Sequence, residues 1–123
     1  MSVLADSSLW IDLWRHGNSR FASQLVLGRI VLHPFVLGEL ALGRVPARTQ
    51  ALEDLRSLSA PRVAQHDEVL ALIERASLWG RGIGWVDAHL LASALLDRAP
   101  LWTLDRRLAA VANDLRIAYA PDT

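Results

Sequence analysis

Ser2-Val3-Leu4-Ala5-Asp6-Ser7-Ser8-Leu9-Trp10 opens the chain, and its reading decides the fold class. Ser2 to Ala5 is a short apolar run that reads as a strand and stops at Asp6. Ser8 to His16 then takes helical spacing, with Leu9 and Leu13, and Trp10 and Trp14, each four residues apart. The same unit returns near the other end. Leu101 to Leu104 reads as a strand ending at Asp105, and Arg106 to Asp114 as a helix behind it.

Between these two units, strand and helix patterns alternate. Gly17-Asn18 breaks the first helix, Ser19 to Leu27 forms a second closed by Gly28, and Ile30 to Leu32 is a short strand. Pro34 opens a helix, where its missing N–H costs nothing, and that helix runs past Glu39 to about Gly43. Ala47 to Leu58 is a helix of mixed charge, and Arg62 to Ala64 reads as an edge strand. Asp67 is the expected cap of a helix through Trp79, followed by the glycine-rich loop 80–84. Trp85 to Arg98 is a long, mostly apolar helix, and Ile117 to Tyr119 a last strand. The alternation predicts one α/β domain over residues 1–123, a three-layer sandwich around a parallel sheet. Ligands of such folds sit beyond the carboxyl ends of the strands.

The composition suits that domain and removes several functions. Apolar residues make up 52% of the chain, enough to build a core and too many for disorder. Without Cys there is no disulfide framework and no thiolate metal site. The N-terminus lacks the basic start and apolar run of a signal peptide, and no segment nears the roughly 18 apolar residues of a membrane span, so the expected location is the cytoplasm. Thirteen acidic residues balance 13 basic ones, every one of them Arg. A neutral chain has no global attraction to nucleic acid, so any RNA contact must come from a local Arg patch.

Four acidic residues stand where sites form. Asp6 and Asp105 each follow a strand, so a parallel sheet would present both at its carboxyl edge. Asp87 falls in the first turn of the helix after the glycine-rich loop. Glu39 lies in the apolar run Phe35-Val36-Leu37-Gly38-Glu39-Leu40-Ala41-Leu42, where partial burial is expected and an ionised carboxylate needs a partner. A hard divalent cation is one such partner, and Arg is another. Taken singly, Asp6 and Asp105 also suit helix caps, and Asp87 suits the positive end of a helix dipole. Together they match phosphodiester hydrolysis, which needs activated water and neutralised phosphoryl charge, as carboxylate-held Mg²⁺ or Mn²⁺ supplies.

The chain resembles the PIN-domain nucleases, in particular the VapC-type toxins of toxin–antitoxin pairs. The segments that carry this likeness are 3–12, 35–40, 82–94 and 101–108, of which the last two are the most specific. The resemblance implies a three-layer α/β/α domain with a central parallel sheet. It implies Mg²⁺- or Mn²⁺-dependent endoribonuclease activity, an RNA substrate, a silencing antitoxin and a homodimer. On that pattern Asp6, Glu39, Asp87 and Asp105 form the catalytic acidic quartet, with Asp6, Asp87 and Asp105 on the metal. Thr103 matches the hydroxyl two residues before the last Asp, and Ser7 the small polar residue after the first. A PIN-fold scaffold without activity, and a PIN nuclease for RNA processing or for DNA, are the alternatives.

Other polar residues carry less. Arg81, Arg106 and Arg107 are candidate RNA contacts, the last two because they adjoin Asp105. Asp12 reads as a solvated helix residue. His89 points away from Asp87 along their helix and reads as a polar or interface residue rather than a base. Trp10 and Trp14 read as core. An aspartyl-nucleophile phosphatase would want Asp two residues after Asp6, where Ser8 stands.

Overall fold

A computed structural model describes residues 1–121. Three short strands form the sheet: β1 (Val3–Ala5), β2 (Ile30–Val31) and β3 (Leu101–Trp102), in the order β2-β1-β3 with all pairings parallel. Successive strand residues face opposite sides of a sheet, yet Val3, Leu4 and Ala5 are each fully buried. Both faces are therefore covered, which is the condition for an all-parallel sheet. The helices that cover it are α1 (Ser7–His16), α2 (Ser19–Val26), α3 (Pro34–Leu42), α4 (Arg48–Arg56), α5 (His66–Arg75), α6 (Trp85–Asp97) and α7 (Arg106–Asp114). No helix among the described residues is long and apolar enough to cross a membrane.

Local signals set most helix starts. Asp6 caps α1, Asn18 caps α2 through a bond from the Phe21 N–H at 2.9 Å, and Asp105 caps α7. The core runs from the sheet into both helical layers. Phe21 meets Trp10 edge-on at 4.9 Å and Trp102 at 5.6 Å, joining α1, α2 and β3.

Three expectations are corrected. Residues 62–64 pair with no strand; this segment is held by the Arg62 N–H on the Asp97 carboxylate, while Leu32 bonds back to Ser59. Residues 117–119 contribute a single parallel bridge, Leu101 to Ala118, rather than a strand. The helix expected from Asp67 to Trp79 starts at His66, where the Glu68 carboxylate accepts the Gln65 N–H at 2.8 Å. It ends at Arg75, because Ser77 turns left-handed with φ 54°.

Candidate active site

The site begins at the register of β1 and β3. Ala5 lies opposite Trp102, and the Asp6 N–H donates to the Trp102 carbonyl at 3.1 Å. The two strands thus end together, and their next residues meet beyond the sheet edge. Asp6 is 6% exposed. Its Oδ1 accepts from the Ser8 N–H at 3.0 Å and from the Ser8 hydroxyl, and its Oδ2 accepts from the Thr103 hydroxyl. Thr103 Oγ1 accepts in turn from the Asp105 N–H at 3.0 Å, and Ser8 Oγ from the Leu104 N–H at 2.9 Å. Two hydroxyls therefore clamp one carboxylate between the strand ends.

Burial raises the Asp6 pKa above the ordinary carboxylate range. The bonds from Ser8 and Thr103 oppose that rise, and the nearby Asp87 charge adds to it. Glu39 is also raised, first by desolvation and then by the charges of Asp87 and Asp6. These three carboxylates, from the end of β1, from α3 and from α6, share one electrostatic field. Among the described residues no Arg or His forms an ion pair with any of them. Asp87 holds its place through the Gly84 N–H, which donates to its Oδ2 at 3.1 Å.

The burial ranking reverses the sequence expectation. The apolar run 35–42 buries only Val36 and Leu40; Glu39 is exposed, as is Leu42 at 92%. A helix laid on a core covers one face, so an apolar neighbourhood in sequence does not bury every position on it. Asp6 is the more deeply buried carboxylate, while Glu39, though exposed, is still partly desolvated. Asp105 is exposed, and its Oδ1 caps α7 through the Arg107 and Leu108 N–H groups at 2.9 and 3.0 Å. It joins the others only through Thr103.

The hydroxyl beside Asp6 comes from the second serine after it. Ser8, not Ser7, touches Asp6, because an N-cap carboxylate reaches the second residue of its helix. That signal was present in Asp6-Ser7-Ser8. Ser7 instead lines a cleft of about 550 Å³ between α1 and α3, together with Glu39, Trp14 and the flanking Arg15 and Arg44. Trp10 is core as expected, while Trp14 is half-buried. Arg81 is engaged with Asp114 at 2.8 Å, and Asp12 pairs with His16 and Asn18, both at 3.1 Å. His89, expected on a polar or interface face, is buried between Phe35 and Trp85 at ring distances of 4.7 and 4.8 Å. Desolvation lowers its pKa, and holds that of His33 at about 4, so both rings are neutral near pH 7.

The donor set fits a hard cation. Asp6, Glu39 and Asp87 offer oxygen only; the Asp87 charge helps raise the pKa of Asp6, and the charges of Asp87 and Asp6 that of Glu39, without a basic partner. Among the described residues no three acidic or imidazole groups are placed to hold one metal ion together.

Removing the Thr103 hydroxyl tests the clamp. Thr103→Val leaves Asp6 Oδ2 without its donor and the Asp105 N–H without its acceptor. Turnover is expected to fall about 10- to 100-fold with the fold retained, as for other groups that orient a ligand, and Thr103→Ser should recover most of it. Parent rates for Thr103→Val would remove the clamp from the mechanism.

A family model for the PIN domain matches residues 3–114. Ribonuclease VapC32 of Mycobacterium tuberculosis, from two strains, is 43% identical over 121 residues, covering 98% of each chain. The crystal structure of PAE2754 from Pyrobaculum aerophilum aligns with a TM-score of 0.62 at 22% identity, over 90% of this chain and 79% of that one. That last likeness shows the fold alone.

Proposed function

This chain belongs to the PIN-domain family and is of the VapC type, and from that membership we propose that it is a divalent-metal-dependent endoribonuclease acting as the toxin of a toxin–antitoxin pair. The observation that carries the catalytic reading is the buried, doubly clamped Asp6 sharing its field with Asp87 and Glu39. Asp6, Asp87 and Asp105 would hold Mg²⁺ or Mn²⁺, with Glu39 beside them. When bound, the cation acidifies water for attack at phosphorus and neutralises charge on the phosphoryl oxygens.

The chain's own groups do the rest. Ser8 and Thr103 hydrogen-bond the two Asp6 oxygens and so favour the charged carboxylate, opposing the rise that burial causes. Asp87, fixed by the Gly84 N–H, presents its charge from the start of α6. The cleft beside Glu39, flanked by Arg15 and Arg44, gives a single strand of RNA a route to the carboxylates. Arg106 and Arg107 add positive charge next to Asp105 for backbone phosphates. A cognate antitoxin and a homodimer are the protein partners this reading carries, on the strength of the VapC resemblance.

Metal and pH should act on stability in linked ways. Asp6 and Glu39 bind protons more tightly folded than unfolded, because their folded pKa values are raised. Their contribution to stability is complete below the ordinary carboxylate range. It is lost as pH climbs from about 4 through the raised values. His33 has the opposite sign: its lowered pKa contributes stability at neutral pH that is lost in acid. The parent minus Asp6→Asn difference therefore isolates the carboxylate. In EDTA, the melting temperature of the parent should fall relative to Asp6→Asn as pH rises. At pH 7, Mn²⁺ should raise the parent and leave Asp6→Asn nearly unmoved. Equal response of both proteins to Mn²⁺ would place the cation elsewhere.

A further inference from the structure

The loop 80–84 meets α7 at two points, one near each end of that helix. Arg81 pairs with Asp114 at 2.8 Å, and Arg107 lies directly across Gly82. A Cβ on Gly82 would stand 2.6 Å from Arg107 Cδ and 2.7 Å from its Nη1, so the Arg107 side chain would have to swing away from its present position. Gly82 also has φ +80°, a left-handed backbone that side chains resist. The residue is thus glycine on two counts, and the second is room for a guanidinium.

Arg107 differs from its neighbour. Arg81 uses its charge on Asp114, whereas the Arg107 side chain forms no ion pair and donates no hydrogen bond among the described residues. Its backbone N–H already binds Asp105. One residue therefore spans the helix start at Asp105 and the loop that leads to Asp87. Its five donors, arranged as a planar fork, remain available for an oxyanion.

We propose that Gly82 is a cradle that positions Arg107 to bind an RNA backbone phosphate next to Asp105. The inference rests on the ribonuclease reading above and adds to it which of the two arginines makes the phosphate contact and the residue that aims it. A guanidinium grips phosphate bidentately only when held at a fixed angle. Packing against a bare Cα supplies that hold without spending a donor.

The test is a double-mutant cycle on the full-length chain. It is read by anisotropy of a labelled single-stranded RNA in EDTA across a salt series, and by steady-state cleavage with Mn²⁺. Arg107→Met keeps the aliphatic stem over Gly82 and removes the fork. It should weaken binding about tenfold and make the slope of log K against log salt shallower by about 0.7, the loss of one phosphate contact. In cleavage the change should fall on KM more than on kcat. Gly82→Ala pushes the guanidinium aside and should weaken binding in the same direction. In an Arg107→Met background it should add no further loss in affinity, and only a small drop in melting temperature from the strained φ. Parent affinity and slope for Arg107→Met would overturn the phosphate contact. Additive losses from the two substitutions would overturn the cradle. If the parent cleaves RNA and Arg107→Met changes neither binding nor KM, this proposal alone fails. A parent that neither binds nor cleaves RNA removes the ribonuclease reading and this proposal with it.

Discussion

Asp6→Asn is expected to lower RNA cleavage by about a thousandfold or more while leaving the protein folded. The substitution keeps the shape of the side chain. The amide oxygen still accepts the Ser8 N–H that caps α1, and the new NH₂ can donate to Thr103, whose hydroxyl oxygen has a second lone pair. What disappears is the negative charge that shares its field with Asp87 and Glu39. A desolvated charge is costly, so the metal-free variant should melt at or above the parent temperature. Loss of activity together with unchanged or higher stability is a signature that simple misfolding cannot produce. In cells, expression of the parent should arrest growth and leave mappable RNA ends, and expression of Asp6→Asn should do neither. Cleavage at the parent rate by a folded Asp6→Asn protein would falsify the site. A parent that binds the cation yet cleaves no RNA would favour a binding scaffold of the same fold.

Phe21→Ala should cost about 3–5 kcal/mol of folding stability, a large share of the roughly 5–15 kcal/mol that holds a domain of this size. Phe21 is fully buried and meets both Trp10 and Trp102 edge-on, so truncation loses apolar burial and two aromatic contacts and leaves a cavity between rigid rings. Urea unfolding gives the number directly; a loss under about 1 kcal/mol would mean the site collapses and refills. The effect should also reach the chemistry. Trp102 precedes Thr103, so loosening β3 loosens the hydroxyl on Asp6. Activity in Phe21→Ala should therefore fall at temperatures where the protein is still folded, most of it restored by Phe21→Leu.

Much of the fold is legible along the chain because its signals are local. Asp6, Asn18 and Asp105 cap the helices that follow them, Pro34 opens α3, and Gly28 closes α2. The segments that misled are those whose state depends on distant pairing. Residues 62–64 carry strand-like character but find their partner in the Asp97 side chain, and residues 117–119 reach β3 through one bridge only. β-propensity does not by itself find a neighbour. The left-handed turn at Ser77, which ends α5 early, has no glycine to announce it.

For the site, the chain by itself determined which chemistry is available: hard oxygen donors at two strand ends and one helix start, no thiolate, no histidine at metal spacing, and Arg for phosphate. It also contained the role of Ser8, since an N-cap reaches two residues onward. The tertiary structure decided how these groups rank. It buried Asp6 rather than Glu39, set Asp105 to capping α7, and spent Arg81 on Asp114 while laying Arg107 over Gly82. The physical reason is that burial and hydrogen-bond partnership belong to pairs far apart in the chain. Thr103 clamps Asp6 across 97 positions, and only the register of β1 against β3 brings them within reach.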